Sequence, residues 1–368
     1  MTELEQARRI IDEADREMAA QFVKRMEAVR EVAEFKAAHG LPVLDAAREQ
    51  AVIEKNALLV EDPNLRAHYV SFIKGVMAIS RTWQRTRLEG MRVAYSGVLG
   101  AFAAIAAERI FPDALALPFP DFEAAYNAVV SGDCDCCVLP MENSFAGEVG
   151  QVADLMFNGS LYVNGVYALP VRHQLLGLPG TKISEIRKVL SHPQALSQCA
   201  DYIKSHGFAS EGVSNTAVAA RTVAGARDKT LAAIASSDTS DLYGLEVLDH
   251  DLQTSAANTT RFAVFSRAEA DTTGENSRFI MLFTVNNVVG ALAKAVNIIC
   301  AHGFNMRVLR SRPVKDVPWQ YYFYVEAEGD HKSEDGQRML RALSVCCDRL
   351  KIAGHYTEGP VLDGEARL

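Results

Sequence analysis

Residues 4–33 read LEQARRIIDEADREMAAQFVKRMEAVREVA, a stretch without glycine or proline. Its apolar residues recur at the three- and four-residue spacing of one amphipathic helix, at Leu4, Ala7, Ile11, Ala14, Met18, Phe22, Met26, Val29 and Ala33. The sequence His39-Gly40-Leu41-Pro42 ends this helix. At about 1.5 Å per residue it would span roughly 50 Å, more than a three-helix monomer can cover. Its apolar stripe is therefore expected to pack on another subunit in an intertwined dimer.

Two further helices are predicted after the long one. The second runs from about Asp45 to Leu58, and the third runs from Leu65 to Leu88. Between them, Glu61-Asp62-Pro63-Asn64 interrupts the helical pattern. Residues 1–89 are thus predicted to form an all-α unit of three helices.

From Met91 onward, short apolar runs alternate with helical patterns, which is typical of an α/β unit. Strands are predicted near residues 136–139, 161–169, 188–191, 231–235 and 261–266. The polar stretch from Ala268 to Ser277 contains Asp271-Thr272-Thr273-Gly274 and is typical of a linker. We therefore predict an α/β unit at residues 91–267.

The last unit, residues 278–358, begins with an alternating run at residues 278–285 that predicts a strand. A helix from Gly290 to about His302, strands near residues 306–311 and 320–326, and a helix at about residues 333–350 follow. A last strand fits at residues 352–356. This order is typical of a small α+β, ferredoxin-like domain.

Composition excludes several classes of protein. The chain has 368 residues, 49% of them hydrophobic and 23% charged, which favours a soluble globular protein of two or three domains. The formal net charge of −8 and the lack of a Lys/Arg block argue against a nucleic-acid partner. No basic segment leads into an apolar one at residues 1–5, and no stretch approaches the apolar length of a membrane span. A cytoplasmic protein outside the membrane is therefore expected.

Three of the seven cysteines crowd together as Cys134, Cys136 and Cys137. On a strand the first two would face one side of the sheet and Cys137 the other. Zinc sites normally place two or more residues between paired cysteines. Small core residues in a reducing cytosol are therefore favoured over a metal site, and no metal is assigned.

Polar side chains recur on the predicted helices at spacings that let them converge. Arg25 and Lys36 are eleven residues apart, or three helical turns, so they project at nearly the same azimuth. The second and third helices add polar groups at i, i+3 or i+4 spacing, namely Asp45, Arg48, Glu49, Ser80 and Gln84. Arg8 faces about 100° away from Arg25, so it could serve a partner's pocket. From spacing alone, the alternative is a solvated face with helix ion pairs.

This set resembles that of the all-helical chorismate mutases, and the resemblance covers the whole helical unit. The residues that match in order and spacing are Arg8, Arg25, Lys36, Asp45, Arg48, Glu49, Ser80 and Gln84. The resemblance implies rearrangement of chorismate to prephenate, a reaction that needs no nucleophile and no cofactor. Arginines would hold the two carboxylates in a near-attack conformer. Lys36 and Gln84 would be catalytic, through hydrogen bonds to the ether oxygen, and Glu49 would bind the substrate hydroxyl.

In the α/β unit, polar motifs lie near predicted strand ends, where open α/β sheets bind ligands. They are PMENS at residues 140–144, SHPQ at 191–194 with Gln198, NTA at 215–217 and TRF at 260–262. Taken singly, each has an ordinary structural explanation as strand, turn or helix cap. As an ordered set, they resemble the prephenate dehydratases over roughly residues 91–267.

That resemblance implies decarboxylating dehydration of prephenate to phenylpyruvate, with no metal or organic cofactor. Thr260 would be the catalytic hydroxyl that gives a proton to the departing hydroxide. The substrate would be oriented by Asn143, Ser191, Gln194 and Gln198. Arg261 would either pair with a substrate carboxylate or hold the strand, and His192 would shape its turn.

One position departs from the dehydratase pattern. The family usually carries a hydroxyl residue after the aromatic one, but here Ala103 follows Phe102, so one substrate contact is missing. Gly97 and Gly100, which let the backbone approach a ligand, are both present.

Residues 278–358 resemble the ACT domains that follow prephenate dehydratases, which bind phenylalanine between two subunits. The matching residues of the ligand-binding turn and of the Glu-Ser-Arg-Pro motif are Gly290, Ala291, Leu292, Ser311, Arg312 and Pro313. Arg310 replaces the glutamate of that motif. If it points into the site it would repel the ammonium group of phenylalanine, so weak inhibition is expected, strengthened by Arg310→Glu.

These patterns together predict a three-domain enzyme of phenylalanine biosynthesis that is a homodimer or homotetramer. Two alternatives stay open. In one, the helical unit of a prephenate dehydratase is an inactive dimerisation element. In the other, the chain is a non-catalytic ligand-binding regulatory protein, although the presence of Thr260 and of the complete mutase set argues against it.

Overall fold

The computed structural model describes residues 2–255, 257–271, 276–315 and 317–362. It separates into two compact units, Met1–Arg92 and Val93–Leu368. This division falls close to the predicted end of the helical unit. None of the described helices combines the length and apolarity needed to cross a membrane.

The first unit is built from three helices, α1 (Glu3–Ala38), α2 (Ala46–Ala57) and α3 (Pro63–Glu89). Thr2 and Glu5 form a capping box that satisfies free N–H groups at the start of α1. Among its described residues, α1 buries only Val29 and Ala33 within this chain. Its N-terminal half leaves large apolar side chains more than half exposed, namely Leu4, Ile10, Ile11 and Met18.

The second unit begins with an α/β region of two lobes. The first lobe contains β1 (Arg92–Ser96), α4 (Phe102–Ile110), β2 (Leu115–Phe119), α5 (Phe122–Val130), β3 (Cys136–Asn143), β4 (Gly147–Glu148), α6 (Gly150–Asn158) and β5 (Tyr162–Pro170). The second lobe contains β6 (Gln174–Gly177), β7 (Lys188–Ser191), α7 (Pro193–Gln198), α8 (Ala200–His206), β8 (Ala209–Gly212), α9 (Thr216–Ala226), β9 (Leu231–Ala235), α10 (Asp238–Tyr243) and β10 (Glu246–Asp249). The chain then returns to the first lobe as β11 (Thr259–Ser266).

The C-terminal segment follows with β12 (Ser277–Thr284), α11 (Ala291–Ala301), β13 (Met306–Pro313), β14 (Tyr321–Glu328), α12 (Glu334–Ser344) and β15 (Arg349–Thr357). Between β11 and β12, residues 272–275 of the predicted linker lie outside the described part of the chain. The element order is β-α-β-β-α-β, so the strand predicted at residues 352–356 is present within β15.

Two sheets organise the second unit. The larger has the strand order β13-β14-β12-β15-β5-β11-β3-β1-β2, with β4 beside β3. The smaller, β10-β6-β9-β7-β8, lies in the second lobe. The C-terminal strands join the first lobe where Gly354 of β15 lies beside Val163 of β5. The strand ends of both lobes can therefore present side chains to one cleft.

The C-terminal sheet is covered on both faces, which the sequence pattern did not predict. Ile280 and Leu282 pack into the core of the first lobe, whereas Phe279, Met281 and Phe283 pack under α11 and α12. The run at residues 278–285 was interpreted as an alternating strand. Its apolar residues are instead continuous because each face of the strand meets a separate core.

The clustered cysteines lie in the core of the first lobe. Cys136 and Cys137 belong to β3, and all three side chains are buried. Burial raises the pKa of the Cys136 and Cys137 thiols, which keeps them protonated and inert. This placement favours their interpretation as small core residues.

Candidate active sites

In the helical unit, three of the predicted mutase residues come together. The guanidinium of Arg25 on α1 donates a hydrogen bond to Ser80 Oγ on α3. Gln84 lies one turn further along α3 and is also buried, and its amide oxygen has no hydrogen-bond partner among the described residues. Burial lowers the pKa of Arg25. The Arg25 cation can therefore bind a carboxylate of an anionic ligand, and the unpartnered Gln84 oxygen can accept a hydrogen bond from a ligand hydroxyl.

The loop between α1 and α2 holds two other predicted residues differently. Lys36 Nζ donates to the backbone carbonyl of Val43 at 2.5 Å. The carboxylate of Asp45 was predicted to bind substrate, but it caps α2 by accepting the Arg48 N–H at 2.9 Å. The side chain of Arg48 is exposed. In this chain Asp45 is therefore a helix cap, because its short side chain reaches the free N–H of the first turn.

The Glu49 carboxylate forms an ion pair with an arginine that the sequence pattern did not identify. Arg81 NH1 on α3 donates to both Glu49 carboxylate oxygens, at 2.7 and 2.6 Å. Arg81 directly follows Ser80, yet no spacing within one helix relates it to Glu49. Only the packing of α2 against α3 brings the two together.

Arg8 lies apart from this set. It is exposed on α1 beside Glu5, Arg9 and Asp12. Seventeen residues of helix place it roughly 25 Å along the axis from Arg25. It therefore does not contribute to the site of its own chain, and its service to a partner's pocket stays a prediction.

A cavity of about 260 Å³ opens between the two lobes of the second unit. Its lining includes four of the predicted dehydratase residues, Asn143, Gln194, Gln198 and Thr260. The polar side chains that the site prediction left out are Ser96, His173, His192, Ser214, Asn215 and Thr216. No Asp, Glu, Lys or Arg is found among the described residues that line it.

Thr260 and Asn143 lie opposite each other on β11 and β3. The Asn143 amide nitrogen donates to Thr260 Oγ1 at 3.0 Å. The Asn143 amide oxygen accepts from the backbone N–H groups of Phe145 and Ala146 at 3.0 and 2.9 Å, which fixes the orientation of the amide. Because the Thr260 oxygen is already accepting from Asn143, its own proton is free to be donated elsewhere.

His173 belongs to a buried network behind the cavity. Gln198 Oε1 accepts from Asn258 Nδ2 at 3.0 Å and lies 2.8 Å from His173 Nε2. An amide oxygen cannot donate, so the proton of His173 sits on Nε2. Burial lowers the pKa of His173 and outweighs the opposing effect of the Gln198 hydrogen bond, which keeps the imidazole neutral. No motif spacing in the sequence connects His173 with Gln198, because they meet only through the fold.

Helix N-termini border the same cavity. The N-cap of α4 is Ala101, which offers no side-chain hydrogen bond, so the first N–H groups of α4 are available to an anion. Gly100 has φ +82°, and a Cβ there would lie 2.9 Å from Thr239 Cγ2, which explains why glycine is needed. Ala103 is buried and lines the cavity, so the predicted missing hydroxyl is at the site itself.

Two predicted dehydratase residues do not line the cavity. Ser191 is fully buried, and its hydroxyl donates to the Ile234 carbonyl at 2.5 Å. Arg261 lies on the opposite face of β11 from Thr260, because successive strand residues alternate. Ser191 ties β7 to β9 in this chain. The contacts of Arg261 favour the second of its two predicted roles, that of holding the strand. Substrate binding by either residue stays a prediction. His192 accepts the Gln194 N–H at 3.2 Å through Nδ1, so it shapes the turn while also lining the cavity.

Arg261 binds the C-terminal segment through charge. It donates to both carboxylate oxygens of Glu326 on β14, at 3.1 and 2.8 Å. It also lies 3.4 Å from Glu142 and 3.3 Å from Glu358. Burial would raise the pKa of Glu326, but the hydrogen bonds and charge of Arg261 lower it overall. The residue next to Thr260 is thus anchored outside its own lobe.

We expect Arg261→Met to lower the free energy of unfolding by up to about 3–5 kcal/mol near neutral pH, because it removes the bidentate partner of buried Glu326 and leaves it only Arg278, 3.4 Å away. The lowered pKa of Glu326 means that the pair stabilises the fold above the carboxyl's unfolded pKa, and that this is lost as pH falls. Urea unfolding at several pH values measures the effect. Arg338→Met is the control, because Arg338 pairs with an exposed Glu334 and should cost at most about 1 kcal/mol. Equal losses in the two variants would show that the Arg261 pair is not a stabilising contact.

The predicted effector residues divide into two groups. Leu292 lines a cavity of about 540 Å³ with Asn286, Asn287, Val288 and Trp319. Gly290 is the N-cap of α11 with φ +83°, and Ala291 begins that helix. This turn therefore borders a cavity, as the predicted ligand-binding turn requires.

The second group, on β13, faces elsewhere. Arg310 forms an ion pair with Glu142, and Arg312 lies 3.1 Å from Glu148 and 3.3 Å from Asp154 of the first lobe. Ser311 and Pro313 are exposed on the edge strand. None of these four residues lines the cavity at Leu292. Arg310 and Arg312 bind carboxylates of the first lobe in this chain, and their contact with an effector stays a prediction. Arg310→Glu would set a third carboxylate against Glu142 and Glu148.

Comparison with known proteins places these sites in a family. The prephenate dehydratase model matches residues 93–270, and the chorismate mutase type II model matches residues 7–85. Arogenate dehydratase/prephenate dehydratase 2 of Arabidopsis thaliana is 35% identical over 277 residues, which cover 72% of each protein. The chain belongs to the prephenate dehydratase family. The two-lobed α/β fold predicted for this family is confirmed.

Other comparisons extend this family assignment to the helical unit. The bifunctional chorismate mutase/prephenate dehydratase of Enterobacter agglomerans is 28% identical over 96% of each chain. A solved structure described as a novel type of quorum quenching acylase is 31% identical with a TM-score of 0.68, covering 73% of this chain and 98% of that one. With both family domains in one polypeptide, the prediction of a bifunctional enzyme of phenylalanine biosynthesis is confirmed.

Proposed function

We propose that the two sites act in sequence, with the helical pocket converting chorismate to prephenate and the cavity between the lobes converting prephenate to phenylpyruvate. The observation that carries the second step is the pairing of Asn143 and Thr260, which frees the Thr260 proton. Phenylpyruvate formation assayed separately from chorismate and from prephenate tests the whole sequence. Conversion of prephenate alone would leave the helices as a dimerisation element, and conversion of neither would indicate a regulatory binding protein.

In the helical pocket, Arg25 would hold a carboxylate of chorismate, while Gln84 and Lys36 would donate to the ether oxygen as negative charge develops there. Lys36 Nζ is engaged by a backbone carbonyl, a contact that substrate can replace. Glu49 would accept a hydrogen bond from the substrate hydroxyl, while Arg81 holds the Glu49 carboxylate in place. The pocket lowers the barrier by holding a folded conformer, because the rearrangement is intramolecular.

In the cavity, the departing hydroxide would take its proton from Thr260 as the ring C–O bond breaks. The C–C bond to the ring carboxylate breaks as well, and its electron pair enters the ring as CO₂ leaves. Aromatisation drives the step, and the threonine is reprotonated from solvent. Asn143, Gln194 and Gln198 would orient the substrate through neutral hydrogen bonds.

The lining also favours prephenate over arogenate, the two substrates that the name of the Arabidopsis relative gives. Arogenate carries an ammonium group where prephenate carries a keto oxygen. A buried ammonium needs a carboxylate or several acceptors, and the described lining contains no Asp or Glu. Both substrates carry the same two carboxylates, which would find the free N–H groups of α4, so the preference depends on the ammonium group alone. Steady-state assays with the two substrates test this preference.

The apolar stripe on α1 supports a dimer of intertwined helical units. Exposed Leu4, Ile11 and Met18 recur every seven residues, so they lie along one side of α1, where water would solvate their apolar surface poorly. A second copy of α1 is the partner of matching length and pattern. Such a dimer would bring Arg8 of one chain towards the pocket of the other.

Phenylalanine is the proposed effector, and the cavity at Leu292 is its proposed site. Gly290 at the start of α11 leaves backbone N–H groups for the carboxylate, and Leu292 offers apolar surface for the ring. Binding there would alter the dehydratase through the ion pairs that join β13 and β14 to Glu142 and Arg261. Inhibition then reflects different affinities of two conformations for phenylalanine.

We expect Leu292→Glu to weaken phenylalanine binding at least tenfold in calorimetry, because a carboxylate would replace apolar surface and oppose the carboxylate of the ligand. Tenfold corresponds to about 1.4 kcal/mol. Leu309→Glu is the matched control on exposed β13 and should bind as the unmodified chain does. Unchanged binding in Leu292→Glu would show that this cavity is not the phenylalanine site.

A further inference from the structure

A cluster of imidazoles and carboxylates lies outside both active sites. Asp330, His331 and His355 each offer a ligand atom, and these atoms all lie within 4.8 Å of one another. His331 and His355 are 5% and 1% exposed. Asp330 follows β14, and His355 belongs to β15. Two buried imidazoles beside a carboxylate are unusual in the core of a small domain.

A second carboxylate completes the cluster. Glu269 Oε1 lies 3.4 Å from His331 Nε2, and Asp330 Oδ1 lies 3.8 Å from His355 Nε2. The ligands of a tetrahedral zinc ion lie about 3.4 Å apart when each bond is about 2.0–2.1 Å. The two imidazole centroids are 5.2 Å apart, and two imidazoles on one zinc ion place their centroids about 5 Å apart. Asp330, His331 and His355 therefore need only small movements to surround one ion, and Glu269, which contacts His331, would have to move further to become its fourth ligand.

The surroundings of Glu269 favour a cation at this point. Glu269 Oε1 is buried without a hydrogen-bond partner among the described residues, although it faces an imidazole nitrogen. The other oxygen, Oε2, already has Lys332 Nζ at 3.2 Å, and Lys332 also lies 3.9 Å from Asp271.

We infer that Asp330, His331, His355 and Glu269 form a site for one divalent transition-metal ion, with zinc the best match to two imidazoles and two carboxylates. Glu269 belongs to the end of the dehydratase match, whereas the other three belong to the C-terminal segment. A bound ion would therefore join the two across the segment that connects β11 to β12. This site is independent of either reaction.

Zinc titration of chelator-treated full-length protein, in competition with a chromophoric zinc indicator, tests the inference. One ion per chain should bind with micromolar or tighter affinity, and His331→Gln and His355→Gln should each weaken binding at least tenfold. His302→Gln is the matched control in the same segment and should bind normally. Because His355 is deeply buried, Asp330→Asn at the rim provides a third variant in case His355→Gln misfolds.

Cobalt substitution distinguishes this site from the cysteines. A cobalt spectrum with ligand-field bands and no thiolate charge-transfer band supports imidazole and carboxylate ligands. A thiolate band, or binding that survives the His331 and Asp330 substitutions, would assign the ion to cysteines such as Cys346 and Cys347 and overturn the inference. Failure to bind zinc below millimolar concentration would overturn it as well.

Discussion

Thr260→Val will stop phenylpyruvate formation, and prephenate will accumulate when chorismate is supplied. Valine keeps the shape of threonine and its β-branch, so β11 should form as before. The hydroxyl that Asn143 positions for proton donation is lost. We expect kcat for prephenate to fall by about 10²–10⁴-fold, the usual contribution of a positioned acid. Product analysis separates the two steps, because the mutase rate should be unchanged.

Thr259→Val is the matched control for this substitution. Thr259 is the neighbouring residue of the same strand, and it does not line the cavity. Its substitution should leave the dehydratase rate within about twofold, since surface changes away from the site cost little. If Thr260→Val retains full activity, Thr260 is a strand residue only, and the proton must come from solvent or another lining group.

The helical unit and the alternation of the α/β region could be predicted because both depend on periodicity within one element. The direction in which Arg25 projects from α1, and Ser80 and Gln84 from α3, could also be predicted, because each helix presents its own residues at a fixed azimuth. Contacts between elements have no such local signal. Arg81 reaches Glu49 only through the packing of α2 on α3, and His173 reaches Gln198 only through the second lobe.

One physical rule explains why Ser191, Arg261 and Arg310 lie away from the cavities that their motifs predicted. A motif gives the identity of a residue, but the strand decides which side of the sheet it faces. Arg261 follows Thr260, so it must face away from the cavity, and there it meets Glu326. Arg310 likewise points from β13 to Glu142 of the first lobe. The partner of neither side chain could be predicted before it was known that the C-terminal sheet covers the back of β11.

The ion pair between Arg310 and Glu142 also explains why an arginine, rather than the glutamate of the motif, is found at position 310. Glu142 precedes Asn143, and Arg261 follows Thr260, so the Asn143–Thr260 pair is flanked on the reverse face by a carboxylate and a guanidinium. Arg310 neutralises Glu142, and Glu326 neutralises Arg261. A glutamate at position 310 would oppose Glu142, so arginine suits this neighbour.

Arg25→Ala and Lys36→Ala will each abolish conversion of chorismate while leaving conversion of supplied prephenate nearly intact. Removing one charged donor from developing negative charge costs about 10²–10³-fold in rate. Arg30→Ala is the matched control on α1, since Arg30 is half exposed and pairs only weakly with Glu34 among the contacts described. Mutase activity retained by both the Arg25 and Lys36 variants would show that the pocket lies elsewhere.

Arg8→Ala should abolish the mutase in the same way, although Arg8 is roughly 25 Å along α1 from Arg25, because it would act in the partner's pocket. Mixing unfolded Arg8→Ala and Lys36→Ala chains and refolding them together tests this directly. In a mixed dimer one pocket would collect both defects and the other would be intact, so about one quarter of the unmodified activity should return if the chains pair at random. No recovery would mean that Arg8 and Lys36 serve the same pocket within one chain, or that Arg8 is only a surface residue of the long helix.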